Sequence, residues 1–253
     1  MLLPDNFPQT ISHYLDGPNA IYHYFKQQRR KDGSGTYGIV GTVRGLRHLC
    51  NILSRFDEYD HYLSTYSYLK TIPSKNYIGG EQVDIETVQV NKIYFDIDPE
   101  EGHQDALYKL DELRRFPIPC RMYATGRGIQ MFIDLTRNIS ISEADYIQRG
   151  LDARFNLGAD KYVPISERRV FRIPYTRNSR NNRWCIPISE KLSANVIRNI
   201  QSFDTIWKSY FLIKRPVDPD SLLQYIPENI PKVEKKLLSS RLSTKSIKDY
   251  LVG

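Results

Sequence analysis

Cysteine is scarce in this chain and poorly spaced for chemistry. Only Cys50, Cys120 and Cys185 occur, far apart and with no C-x-x-C pair. That excludes a disulfide framework and leaves no structural zinc to expect. The five histidines are equally scattered, and His13 and His23, set among aromatics, read as structural. No apolar run approaches membrane-spanning length, and the first residues lack a charged leader followed by an apolar core. No internal repeat or long low-complexity tract is present. These absences predict a protein of a reducing, intracellular compartment that meets no membrane.

What remains is an ordinary globular composition, 40% hydrophobic and 26% charged over 253 residues, with a net charge of +7. The length fits one large domain or a domain with appendages. The charge favours an anionic partner, nucleic acid or nucleotide, because no basic amphipathic stretch points to a membrane surface.

Residues 1–30 mix aromatics with helix-compatible runs, "KDGSGTYG" (31–38) reads as a turn, and 43–70 reads as helical, with Leu46, Leu49, Ile52 and Leu53 near 3.6 spacing. "VDIETVQVNKIYFDID" alternates like one or two strands. "HQDALYKLDELRRF" places Leu107, Leu110 and Leu113 on one helical face, "RMYATGRGIQMFIDL" (121–135) reads as strand, glycine turn, strand, and an S-x-x-D pattern at Ser142 and Asp145 opens a further helix. Residues 168–189 read as a hairpin with its polar loop near "RNSRNN". This order predicts an α+β palm, an antiparallel or mixed sheet with helices on one face. Residues 216–253 read as a proline-rich connector and a basic helical tail.

The stretch "KIYFDIDPE" (92–100) raises a chemical question. Strand alternation places Lys92, Tyr94, Asp96 and Asp98 on one face, opposite Ile93, Phe95 and Ile97. Two carboxylates side by side repel unless something positive lies between them. A solvated edge strand also reads D-x-D; the alternative is a site for Mg²⁺ or Mn²⁺, which hard carboxylate oxygens suit. Three further pieces bear on the choice. In "YATGRGIQMFIDL" Gly126 and Gly128 permit a tight turn and close approach to a ligand, Thr125 and Arg127 suit phosphate oxygens, and Gln130 shares a face with Phe132 and Asp134. Asp160 follows in "LGADKYVP". Then Arg168, Arg169, Arg172, Arg177, Arg180 and Arg183 crowd sixteen residues with no nearby acid beyond Glu167. Arg168, Val170 and Arg172 share a strand face suited to an anion.

Taken in order, "FDID", "TGRGIQ", "ADKYV", "FRIPYTRN" and "CIPI", spanning residues 93–188, resemble the motif series of the archaeo-eukaryotic primase superfamily. The resemblance implies a primase-type catalytic core with an RRM-like palm at about 89–190, an N-terminal α/β part at about 1–88, a core ending near 215, flanking helices, and a helical tail in 216–253. It implies metal binding by Asp96, Asp98 and Asp160, with two Mg²⁺ or Mn²⁺ ions. Nucleotide phosphates would meet Thr125, Gly126, Arg127, Gln130, Arg172 and Asn178. Arg168, Arg169, Arg177, Arg180 and Arg183 would hold nucleic acid. The activity implied is template-directed nucleotidyl transfer from NTPs or dNTPs on single-stranded DNA, in the cytoplasm at a nucleoid or replicon. A larger primase subunit and a helicase stand open as protein partners. Gln130 departs from the family's histidine; an amide can donate a hydrogen bond but cannot become cationic or transfer a proton. A nucleic-acid-binding accessory subunit without catalysis is the competing reading, and a metal-dependent nuclease the third.

Overall fold

The computed structural model describes residues 11–12, 14–17, 19–29, 36–54, 59–159, 165–167, 169–189, 191–202 and 214–229. Asp160, Arg168, His13 and the tail from residue 230 lie outside them. Two sheets face each other. The first is built on β1 (Ile21–Arg29), paired along its whole length with β2 (Thr36–Arg44). The other edge of β1 carries β3 (Asp60–Ser64) and β4 (Ser67–Tyr68). A small hairpin, β5 (Thr71–Pro73) with β6 (Glu81–Val83), precedes β7 (Val88–Gln89), which extends the first sheet beyond β4.

The second sheet is the palm. It begins with β8 (Lys92–Ile97), whose partner is β10 (Ile129–Asp134); β10 also pairs with β9 (Arg121–Ala124), which carries β14 (Ile186–Pro187) on its outer edge. All four strands run antiparallel to their neighbours. Between β8 and β9 lies a 3₁₀ turn, Ala106–Lys109, running into the short helix α2 (Leu110–Leu113). After β10 comes α3 (Ile141–Phe155), and after β14 comes α4 (Ala194–Ser202). An antiparallel palm with helices is the α+β architecture that the sequence predicts.

Alternation along β8 and β10 sorts the layers. Ile93, Phe95, Ile97, Ile129, Met131 and Ile133 are fully buried on one face. α3 packs against β8, and its Gln148 Nε2 donates to Tyr94 O at 2.6 Å. The opposite face meets the first sheet through aromatic edges: Tyr94 and Phe132 lie 4.7 and 5.3 Å from Phe171, ring centre to ring centre. Phe171 belongs to β11 (Val170–Arg172), which the chain hands across to pair with β3. The arginine-rich segment is thus divided. β11 joins the first sheet, β12 (Arg177–Asn178) and β13 (Arg183–Trp184) form the hairpin proper, and β14 joins the palm. Residues 214–229 return to the palm. Val217 N donates to Asp134 O at 2.9 Å, and Ile226 fills the space beside Gly150 of α3.

Three local expectations are corrected. The helix expected over 43–70 is confined to α1 (Gly45–Leu53), where the leucine spacing holds. Beyond it "DHYLSTYSY" is aromatic and hydroxyl-rich, a composition that fits a pleated, half-buried surface, and it forms β3 and β4. The aromatic run at 21–29 obeys the same preference and is β1 rather than helix. The helix expected from Ser142 begins earlier: Ser140 is the N-cap, in a reciprocal capping box with Glu143. That phase buries Ala144, Ile147 and Leu151.

At the start of β8, Lys92 Nζ donates to Asp16 Oδ1 at 2.7 Å, almost fully buried. Lys214 Nζ lies 3.7 Å from the same carboxylate oxygen and donates to Leu15 O at 2.6 Å. Burial, then the neighbouring Lys92 charge, pushes the Lys214 ammonium down to about 8. Between that value and the unfolded one, near 10.4, the unfolded chain binds the extra proton, so stability rises with pH across that window. Lys214→Gln, which keeps an N–H donor without the charge, is expected to raise stability at pH 7 by on the order of 1–2 kcal/mol. It should also flatten the rise between pH 8 and 10; urea unfolding at several pH values checks both.

Candidate active site

Asp96 is the penultimate residue of β8, and Asp98 lies just beyond the strand's end. The face they share is the one turned to the first sheet. Asp96 is three-quarters buried; its Oδ2 accepts from Arg169 Nη2 at 2.7 Å. Arg169 comes from the chain entering β11, and its guanidinium carbon sits 5.4 Å from the centre of the Phe171 ring. Across the ladder from Asp96 is Gln130, 5% exposed, whose Oε1 has no hydrogen-bond partner among the described residues.

The glycine turn between β9 and β10 closes over the strand end. Thr125 N donates to Gly128 O at 2.9 Å. A side chain on Gly128 would meet Ile97 O at 3.0 Å, Asp98 Oδ1 at 3.2 Å and Thr125 Oγ1 at 3.3 Å. Only a residue without Cβ lets the turn seat against three oxygens this closely. Gly126 has φ +104°, and a Cβ there would press on the Asn181 amide at 2.8 Å. Gly126→Ala is therefore expected to cost about 1–3 kcal/mol through backbone strain and displacement of the hairpin loop. Thermal unfolding measures the cost; a variant as stable as wild type would show the turn to be slack.

Two buried acids hold the turn and the hairpin in place. Asp105, whose side chain is 1% exposed, caps the 3₁₀ turn through Leu107 N and accepts from Arg183 and from Arg198 of α4. Arg183 Nη1 also donates to Gly126 O at 3.1 Å, and Ala106 N to Arg127 O at 2.7 Å. Burial alone would push the Asp105 carboxyl up; Arg198, Leu107 N and Arg183 outweigh it and hold the group below the usual carboxylate range. Asp60, at the start of β3, accepts from Arg172 Nη1 at 2.8 Å and from both N and Oγ of Ser179. Arg172 additionally donates to Tyr62 Oη and Arg177 O. Tyr175, fully buried, takes a left-handed φ of +62°, and its N donates to Cys185 O at 2.7 Å. A bulky residue is held there only when its surroundings over-determine it.

These contacts place the residues expected from sequence. Asp96, Asp98, Thr125, Gly126, Arg127, Gln130 and Asn178 gather at one end of the palm; Asn178 Nδ2 donates to Thr125 O at 3.2 Å, and Arg127 is exposed with its Nε donating to Gln104 O. Arg172 is buried at 5% exposure and braces the hairpin. Of the arginines expected to meet nucleic acid, Arg169 pairs with Asp96, Arg183 with Asp105, Arg177 lies over the Trp184 ring, and Arg180 is exposed on the loop. The arginine run is not short of acids, as it reads in sequence: Asp60, Asp96 and Asp105 supply the partners from distant segments. A cavity of about 330 Å³ lined by Asp16, Ser67, Asn91 and Asn138 opens toward the other end of β8, away from this constellation.

Among the described residues no group of three His, Cys, Asp or Glu gathers to hold a metal; Asp160 lies outside them. The donors at this end of the palm nevertheless suit a hard divalent cation. The Asp98 carboxylate, the Thr125 hydroxyl and the Ile97 carbonyl converge around Gly128, and Asp96 already accepts a cationic group.

The fold is that of a primase-polymerase catalytic domain. Among solved structures it is similar to the AEP domain of the cyanophage S-2L primase-polymerase, at TM-score 0.53 and 14% identity, covering 88% of this chain and 97% of that one. The polymerase domain of Mycobacterium tuberculosis Ligase D in complex with DNA aligns at TM-score 0.48 and 11% identity over 85% and 82%. The catalytic domain of primase RepB′ in complex with initiator DNA aligns at 0.46 and 12% over 77% and 93%. No protein-family model and no curated protein matches the chain.

Proposed function

We propose that this chain is a primase-polymerase that adds nucleotides to a strand paired with a single-stranded DNA template. The observation that carries the reading is the placement of Asp96 and Asp98 at the end of a palm strand, beneath a glycine turn pinned by Asp105 and Arg183, in a fold of primase-polymerase type. Asp96, Asp98 and Asp160 are the residues that would hold Mg²⁺ or Mn²⁺. Bound there, the metal would lower the pKa of an attacking hydroxyl and offset charge on the phosphates.

The chain's own groups do the rest. Arg127, exposed at the tip of the turn, offers a cationic fork to phosphate oxygens, and Arg180 on the hairpin loop offers a second. The Asp105 and Asp60 clamps fix the two loops, so that these cations are preorganised and need no rearrangement as charge develops. Gln130 lines the face beside Asp96 with an amide that can donate to a phosphate oxygen but cannot shuttle a proton. Lys and Arg side chains holding template phosphates would make template binding fall steeply with salt.

Template identity tests the reading. On a homopolymer of thymidine with Mn²⁺, only the adenine nucleotide is expected to enter product; incorporation indifferent to the template base would contradict template direction. Gln130, in a position where the resembled family has histidine, favours a second reading, a nucleic-acid-binding subunit without catalysis. Such a subunit would bind the template and make no product with any metal.

A further inference from the structure

The positive group beside Asp96 is a side chain. Arg169 Nη2 lies 2.7 Å from Asp96 Oδ2, and the pair is only 27% and 24% exposed. The arginine is not tied down in the way Arg172 and Arg183 are. Arg172 and Arg183 each reach a buried acid and a backbone carbonyl. Arg169, by contrast, has a buried Nε with no hydrogen-bond partner among the described residues and rests its guanidinium near one aromatic ring. Its backbone is fixed, since Thr65 N donates to Arg169 O at 2.8 Å and Arg169 N donates to Ser166 O at 3.2 Å. A fixed backbone carrying an under-satisfied guanidinium is the arrangement of a side chain that can exchange one anion for another.

Resting on the metal-site reading above, we propose that Arg169 is a displaceable counter-ion. A divalent cation and Arg169 compete for Asp96, and the guanidinium released by the metal takes a phosphate oxygen entering the cleft. Metal binding and phosphate binding are then coupled through one residue. Arg169 shields Asp96 before the metal arrives, sets the metal concentration the site needs, and contacts substrate afterwards.

The test is Mn²⁺ binding to the full chain stripped of divalent ions, followed by the electron paramagnetic resonance signal of free Mn²⁺. Arg169→Gln is expected to bind Mn²⁺ about three- to tenfold more tightly than wild type, the scale of one partly exposed charge pair. Asp96→Asn should lose that binding. An unaltered affinity in Arg169→Gln, with binding still lost in Asp96→Asn, overturns the Arg169 assignment alone. Equal Mn²⁺ binding by wild type and Asp96→Asn overturns the metal site itself and the competition with it.

A second measurement does not depend on the folding of any Asp96 or Arg169→Gln variant. The ¹⁵N resonance of the Arg169 Nε–H group, identified by its loss in Arg169→Lys, is expected to shift on Mg²⁺ addition. It should shift again with a non-hydrolysable nucleoside triphosphate or with a single-stranded oligonucleotide, and whichever moves it is the phosphate source. A resonance that ignores Mg²⁺ overturns the competition, and one that moves with Mg²⁺ but with neither phosphate source overturns the hand-over.

Discussion

Replacing Asp96 and Asp98 together by asparagine is expected to remove metal-dependent nucleotide incorporation, by at least about a thousandfold, without unfolding the protein. Asparagine keeps the shape of each side chain and abolishes the charge a hard cation needs. The structural cost is small. Arg169 loses its anion but sits at a quarter exposure, where water can take over part of the pair's role, so the stability change is about 1 kcal/mol or less. Losing two adjacent negative charges offsets some of that. Single-stranded DNA binding, which rests on cationic side chains, should persist. An incorporation gel beside a fluorescence-anisotropy titration reads both halves. A double variant that still makes product at wild-type rate would remove these carboxylates from the chemistry.

The largest expected loss of stability comes from a different pair. Arg121 and Asp134 face each other across β9 and β10 with side chains 3% and 8% exposed, joined by two bonds of 2.6 Å. Arg121 also donates to Tyr123 Oη at 3.0 Å. Removing one partner strands a charge among aromatics, and Asp134→Ala is expected to cost about 3–5 kcal/mol. For a domain of this size that is a fall in Tm of roughly 6–20 °C. Replacing both, as Arg121→Met with Asp134→Leu, should recover most of the loss, because the desolvation cost disappears with the charges. Asp134 pairs with Lys92 in register whereas Gln130 pairs with Asp96, so the pair lies at the opposite end of β8 from the acids. Activity per folded molecule should survive at low temperature. Calorimetry of the single and double variants decides; a single variant within 1 kcal/mol of wild type would contradict the burial argument.

The parts of the site that were legible in the sequence are those coded locally. Strand alternation around Asp96 and Asp98, the glycine turn at 126–128 and the polar loop of the hairpin each occupy a short window, and each appears where its pattern places it. What holds them together was not legible. Arg169 and Asp96 are 73 positions apart, Arg198 and Asp105 are 93 apart, and Arg172 and Asp60 are 112 apart. Asp105 carries a local sign, an acid ahead of a helical run, which identifies a cap. Nothing nearby reveals that the same carboxylate organises the glycine turn through Arg183. The first sheet is hard to read from sequence because β1 and β3 are rich in Tyr and His and lack clean alternation. Their periodicity was overridden by pairing with β1.

Nucleotide transfer at the Asp96–Asp98 end of the palm is the activity proposed for this chain. The most direct measurement is pyrophosphate released by the purified chain with single-stranded DNA, nucleotides and Mn²⁺, alongside the length of the labelled strand. The account predicts one pyrophosphate per nucleotide added, dependent on template and metal, and absent when Asp96 and Asp98 are asparagine. Template bound tightly with no pyrophosphate and no lengthened strand, under either metal and with either class of nucleotide, would contradict it.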